Sequence, residues 1–219
     1  MLGAESLSWQ PSLFDVLGTT DGGPADMSFD GGRRIELGGA AWVDHVPGWL
    51  HAPDQLFEWL LANAPWHTGE MVIHGKRVVQ PRLLAGWSTG DAERPLPEAL
   101  EQMRARLSAQ YGPTFDSVGI NLYRDGRDSV AWHGDRIART IKEPMVAIVS
   151  LGQPRRFLLR PVGGRTALTL LPQPGDLVVM GGTSQRTWQH TIPKSASAGP
   201  RISVTFRHST NDRNLLPTA

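Results

Sequence analysis

Residues 119–135, GINLYRDGRDSVAWHGD, put an imidazole and a carboxylate two positions apart at His133 and Asp135. Side chains at i and i+2 of an extended strand share a face, so this pair can aim at one point. An H-x-D triplet is common on protein surfaces, and a site needs a further donor from elsewhere in the chain. Of the seven histidines, His45, His51, His67, His74 and His208 fall in loop or strand-end settings suited to solvated or capping side chains. His190 differs: residues 187–192 form an apolar-flanked run entered through Gly181-Gly182 and ended by Pro193. Two imidazoles and one carboxylate on a β scaffold make a three-donor set that leaves positions open on a transition metal.

That set suits non-haem Fe(II), and zinc accepts the same donors, so ligand identity alone leaves the metal open. A second feature narrows the choice. Residues 201–207, RISVTFR, alternate as a strand, with Arg201, Ser203, Thr205 and Arg207 on one face and Ile202, Val204 and Phe206 on the other. Arg201, eleven residues after His190, offers a forked guanidinium to a carboxylate. Arg207 can hold a second anionic group or a neighbouring ligand. Asn121 and Tyr123, sharing one strand face, add hydrogen-bond donors. A dicarboxylate that chelates a metal at one end and meets an arginine at the other is 2-oxoglutarate, and that points to iron.

These residues need a β framework. Asp125-Gly126 is a turn signal between two strand-forming runs, so 119–135 reads as a β-hairpin, with Val118, Ile120, Leu122, Val130 and Trp132 as its packing residues. Eight short strand-like runs follow one another at 117–124, 129–135, 145–151, 155–160, 167–171, 177–181, 187–192 and 201–208, separated by Gly and Pro turns. That pattern is a β-sandwich or barrel of jelly-roll type. Upstream, 53–64 and 97–111 carry apolar residues at helical spacing, each opened by a proline, and read as helices buttressing a sheet. Residues 34–43 read as a short strand, 71–79 as a strand pair, and 80–91 as a surface loop. A short helix at 7–17 and a Gly/Asp/Pro-rich linker at 19–32 open the chain.

Composition excludes several classes. With 219 residues there is length for one moderate domain and a real core. There is no cysteine, so disulfides, thiol catalysis and thiolate metal sites are ruled out. No apolar run approaches a bilayer span and no secretory leader is evident, which predicts a soluble, cytoplasmic protein with no membrane partner. Net charge is +1, but residues 1–36 hold six acids against two bases, leaving +5 for the remainder. Arg82, Lys76, Arg77, Arg155, Arg156, Arg160 and Arg165 are candidates for a basic rim around the site.

Four segments in this order, Asn121-Leu-Tyr123 with Asp125-Gly126 and Asp128, His133-Gly-Asp135, His190, and the 201–207 strand, resemble the AlkB family of Fe(II)/2-oxoglutarate-dependent dioxygenases. Gln80-Pro81-Arg82-Leu83 resembles the start of that family's nucleotide-recognition lid. The likeness covers about residues 70–208. It implies an α+β, mainly β fold: a double-stranded β-helix (jelly-roll) core with N-terminal buttressing helices and a lid. The domain plan it suggests is an arm over 1–32, one dioxygenase domain over 33–210 (lid about 66–95, core about 117–208) and a tail over 211–219.

By the same resemblance His133, Asp135 and His190 hold Fe(II), Arg201 pairs with the distal carboxylate of 2-oxoglutarate, and Asn121, Tyr123, Ser203 and Arg207 complete its pocket. The implied reaction is oxidative removal of N-alkyl groups from nucleic-acid bases with O2 and 2-oxoglutarate, releasing succinate, carbon dioxide and formaldehyde, by a monomer. Arg82, Trp87, Ile137, Trp66 and His67 are the candidates for contact with the nucleic acid, Trp87 by stacking on a base. Ser203 stands where the family commonly has Asn, and Ile137 where well-known members carry an acid. Two other readings share the residues: a 2-oxoglutarate-dependent hydroxylase of a protein or small molecule, and a non-catalytic, metal-containing β-barrel that binds nucleic acid.

Overall fold

The computed structural model describes residues 27–73, 75–88, 94–135 and 141–208. The elements run β1 (Arg33–Gly38), β2 (Ala41–Val46), α1 (Pro53–Asn63), β3 (His67–Ile73), β4 (Lys76–Ser88), α2 (Glu98–Tyr111), β5 (Ser117–Tyr123), β6 (Val130–His133), β7 (Val146–Gly152), β8 (Phe157–Pro161), β9 (Leu168–Leu170), β10 (Leu177–Gly182), a single helical turn α3 (Ser184–Thr187), β11 (Trp188–Ile192) and β12 (Arg201–Arg207). An eight-stranded sheet has the order β1-β2-β10-β7-β12-β5-β4-β3, and a four-stranded sheet the order β6-β11-β8-β9. Every pairing is antiparallel. The last eight strands fall on the eight runs read from the sequence, and the fold is a jelly roll with helices on one side.

Strand parity builds two cores. On the outer face of the large sheet, Val118, Ile120 and Leu122 of β5 and Ile202, Val204 and Phe206 of β12 pack against Phe57 and Leu60 of α1 and Leu100, Met103 and Leu107 of α2. Between the sheets lie Tyr123, Val146, Ile148, Phe157, Leu159, Val178, Met180 and Ile192. The central strands are therefore buried on both faces, and the alternating polar residues of β12 are enclosed rather than solvated. The helices begin as their prolines dictate, Pro53 inside the first turn of α1 and Pro97 capping α2. Gly112, at φ 92°, ends α2.

Three expectations are corrected. Residues 119–135 are not a hairpin: β5 belongs to the large sheet and β6 to the small one, so the turn after Tyr123 carries the chain across the sandwich. That crossing is held by ion pairing of Arg124 with Asp128 and by buried Arg155, which donates to the carbonyls of Asp125, Asp128 and Pro193. The strand expected over 34–43 is two strands folded back on each other, the turn passing through Gly38, Gly39 and Ala40, all at positive φ. Residues 80–88 are strand, not surface loop: β4 continues past Pro81 because its register against β3 slips at Gly69, where a missing ladder donor costs nothing. Residues 67–88, within the region expected to be a lid, form a hairpin that extends the large sheet through β5. The proposed helix at 7–17, most of the N-terminal arm, residues 211–219 and Ile137 lie outside the described residues.

Candidate functional site

The site lies between the sheets. β6 and β11 are neighbours in the small sheet, and His133 is the cross-strand partner of His190. Their ring centroids are 4.2 Å apart. Register slips between that pair and the next, Val130 with Ile192, so one extra residue in β6 lets both Val130 and His133 face the cavity. Asp135 lies just beyond the strand. Gly134 permits its approach, because a Cβ there would meet the Gln185 carbonyl at 2.9 Å. The Asp135 N–H donates to Gln185 Oε1 at 2.9 Å, tying the loop to α3.

Donor atoms of His133, Asp135 and His190 all lie within 4.8 Å of one another. His133 Nδ1 is 2.8 Å from the Ala131 carbonyl; a carbonyl only accepts, so Nδ1 donates there and Nε2 is the ring nitrogen left to meet a metal. His190 Nε2 is 3.5 Å from Asp135 Oδ2. Burial, aided by His133 and Arg207 and opposed by Asp135, pushes His190 down to about 3, so it is neutral at physiological pH. Burial would raise the Asp135 carboxyl, but Arg207, His190 and His133 outweigh it and hold the group ionised below its ordinary range. Arg207 Nε donates to Asp135 Oδ1 at 2.8 Å, leaving Oδ2 on the histidine side. Two imidazoles and one fixed carboxylate fit a divalent transition metal.

The facing wall belongs to the large sheet. Arg201, Ser203, Thr205 and Arg207 of β12 turn toward the cavity, as do Asn121 and Tyr123 of β5. Arg201 pairs across the ladder with Tyr123, and Ser203 with Asn121. Gly119 leaves room for Arg207, whose Nη1 would sit 3.0 Å from a Cβ there. Arg201 is 1% exposed. Its Nη2 donates to Ser150 Oγ at 2.9 Å, while Nε and Nη1 have no hydrogen-bond partner among the described residues. Burial lowers Arg201 to about 10, with Tyr123 opposing and Arg155 adding to the shift. A buried cation with two idle donors costs free energy unless a carboxylate answers it. The donor set therefore fits a carboxylate ligand as well as a metal.

The structure thus brings together all three expected metal donors and all five expected cosubstrate residues. Arg82 joins them: its Nε donates to Asn121 Oδ1 at 2.8 Å, and the Asn121 amide donates to Ser203 Oγ at 3.3 Å. Trp87 does not. It is 7% exposed, pairs across the ladder with Val118 and packs in the helix-side core, on the face of β4 away from the cavity. Trp66 packs against the same core and donates its indole N–H to the Leu61 carbonyl at the end of α1. His67 is exposed on the edge strand beside the Pro65 carbonyl. Of the candidate basic rim, Arg155 is buried and spent on backbone carbonyls.

Sequence reasoning missed Ser150, Gln185 and Phe157, which stacks on His190 at 5.3 Å. Ser150 had a signal: it is the one polar residue in VAIVSLG and lies opposite Ser203. Gln185 had none, because its role depends on the fold bringing α3 beside the 133–135 loop.

The sequence profile of the 2OG-Fe(II) oxygenase superfamily matches residues 45–207. Alpha-ketoglutarate-dependent dioxygenase alkB homolog 3 of Homo sapiens is 30% identical over 207 residues, covering 84% of this chain and 72% of that protein. DNA oxidative demethylase ALKBH2 of Arabidopsis thaliana is 28% identical over 229 residues, covering 84% and 71%. A solved oxidoreductase of the 2OG-Fe(II) oxygenase family from Burkholderia pseudomallei shares the fold at a TM-score of 0.52 and 14% identity, over 77% of this chain and 86% of that one.

Proposed function

The chain belongs to the 2OG-Fe(II) oxygenase superfamily, among its AlkB-type dioxygenases, and from that premise we propose that it removes N-alkyl groups oxidatively from the bases of nucleic acid. As a member of that family it is a dioxygenase that uses Fe(II), 2-oxoglutarate and O2. In this reading His133 Nε2, His190 Nε2 and Asp135 hold the iron, and Arg201 takes the distal carboxylate of 2-oxoglutarate through its free Nε and Nη1. The observation that carries it is that buried, half-answered guanidinium on the same enclosed face as Arg207, the partner of Asp135.

The remaining side chains have positioning roles. Ser150 fixes one arm of the Arg201 fork, so the other donors need no reorganisation when the carboxylate arrives. Arg207 keeps Asp135 ionised and points one oxygen at the histidines. Arg82, Asn121 and Ser203 form a chain that fixes the Asn121 amide at the cavity wall. Phe157, Ile148 and Ile192 exclude water from around His190. When bound, iron would couple oxidation of 2-oxoglutarate by O2, giving succinate and carbon dioxide, to hydroxylation of the N-methyl carbon. One oxygen atom goes to succinate and the other to that carbon, which then leaves as formaldehyde and returns the unmodified base. A damaged or unpaired base is the least costly to draw out of a stack into such a cavity.

The test is release of formaldehyde and succinate from oligonucleotides carrying N-methylated bases, with unmethylated oligonucleotides and the His190→Ala protein as controls. Stoichiometric formaldehyde from the methylated oligonucleotides alone is expected. Succinate release that no methylated oligonucleotide stimulates would move the substrate to another class.

A further inference from the structure

Trp132 and Gln189 each precede a metal-site histidine, His133 and His190, by one residue, and turn away from the cavity to the outer face of the small sheet. Arg160 of β8 is the cross-strand partner of Gln189. Its Nε and Nη2 both donate to Gln189 Oε1, at 3.1 and 3.0 Å. Its Cζ lies 4.2 Å from the centroid of the Trp132 ring. One guanidinium therefore spans β8, β11 and β6 in a row, behind the two imidazoles.

β6 needs such a strap. It has only four residues, it is the end strand of its sheet, and its register against β11 slips between Val130 and His133. The Ala131 carbonyl that fixes the His133 ring lies inside that slip. An extra residue in a short edge strand leaves the ladder few bonds with which to set the height of His133 over His190. The flat guanidinium seats the Trp132 ring and so seats the slipped residues, while its fork on Gln189 ties the same group to the strand of His190.

We propose that Arg160 is a positioning residue of the metal centre, setting the separation of His133 and His190 through Trp132 and Gln189. The proposal rests on the metal-triad reading above. Groups that orient metal ligands from outside change metal affinity by about 10–100-fold when removed. Arg160→Ala should therefore bind metal about tenfold more weakly, with an altered ligand field. Trp132→Phe, which keeps a ring face, should recover most of what Trp132→Ala loses. Arg160→Lys should recover little, because an ammonium neither lies flat on the ring nor forks onto one oxygen.

The experiment is Co(II) titration of the metal-free full chain, read by visible absorption, beside thermal unfolding of the same metal-free proteins. Weaker Co(II) binding and a shifted spectrum in Arg160→Ala, at an unfolding midpoint close to that of the wild type, is the expected result. Wild-type affinity and spectrum would overturn the proposal. So would an affinity loss that only tracks a lower unfolding midpoint across Arg160→Ala, Arg160→Lys and Trp132→Phe, since the strap would then be a general brace. His190→Ala separates the two levels: loss of Co(II) binding there upholds the triad whatever Arg160 does, and retained binding overturns triad and strap together.

Discussion

Arg201 and Ser150 meet across neighbouring strands at 2.9 Å, and among the described residues that is the one hydrogen bond to a guanidinium only 1% exposed, whose Cζ also lies 5.4 Å from the Tyr123 ring centroid. In the proposed reading, the interior of the jelly roll holds this cation ready for the distal carboxylate of 2-oxoglutarate. Its cost is borne by the folded protein and recovered on binding.

This arrangement fixes a trade-off. Arg201 falls on folding from the ordinary arginine value to about 10, so its protonated form resists burial. That penalty is present at neutral pH and fades as pH rises past about 10. Arg201→Met should raise the stability of the ligand-free protein by roughly 1–3 kcal/mol while abolishing 2-oxoglutarate binding. Chemical denaturation with and without 2-oxoglutarate checks it. A less stable Arg201→Met protein would mean the cation is satisfied without ligand.

Asp176 supplies a pH dependence away from the site. Burial would raise its carboxyl, but hydrogen bonds from His45, the Gln173 N–H and the Gly48 N–H outweigh burial and hold it below the usual carboxylate range. A depressed folded-state pKa stabilises the fold above the unfolded value, about 3.9, and is lost as pH falls through the folded value. Asp176→Asn should lose about 1–3 kcal/mol at pH 7 and show a flatter decline in acid than the wild type. Parallel acid limbs in the two proteins would remove Asp176 as a source of acid sensitivity.

Trp87 distinguishes packing from recognition. Its ring lies in the helix-side core with Val118, so Trp87→Ala should destabilise by about 3–5 kcal/mol. Trp87→Phe should be mild and leave the Michaelis constant for oligonucleotide unchanged. A stable Trp87→Phe protein with a specific loss of oligonucleotide affinity would restore the stacking role expected from the sequence.

The arginine strand was legible because β12 keeps strict alternation, residues two apart sharing a face along its length. His133 and Asp135 were legible from their residue types and spacing, although β6 slips and Asp135 lies past its end. The eight short strands were legible from their Gly and Pro punctuation. What failed depended on pairing. Asp125-Gly126 looks like a hairpin turn, yet β5 is claimed by β4 and β12 and β6 by β11, so the turn bridges two sheets. Pro81 looks like a loop residue, but it sits where β3 and β4 are out of step. Trp87 and Trp66 could not be told from recognition residues, because only the fold says which face of β4 meets the helices and that α1 ends under an indole. The Arg160 strap was read as a rim charge for the same reason.

The last prediction separates two arginines of one strand that the sequence grouped together. Arg77 near the start of β4 is 84% exposed at its side chain and meets Glu70 only at 3.5 Å. Met71, Val78 and Val79 on the same hairpin are exposed as well. Arg82, five residues on, is turned inward, lowered by burial and bonded to Asn121 and the Ser129 carbonyl. If the hairpin tracks a phosphate backbone, each contact by an exposed base contributes about one unit to the slope of log affinity against log salt. Arg77→Ala should therefore lower that slope by about one and leave 2-oxoglutarate affinity alone. Arg82→Ala should do the reverse: an unchanged slope with weaker 2-oxoglutarate binding, because the Asn121 amide loses its anchor. Fluorescence anisotropy of a labelled oligonucleotide over a salt series, with 2-oxoglutarate titrations of both variants, decides it. A reduced salt slope in Arg82→Ala would place that guanidinium on the nucleic acid, and an unchanged slope in Arg77→Ala would take the hairpin out of the interface.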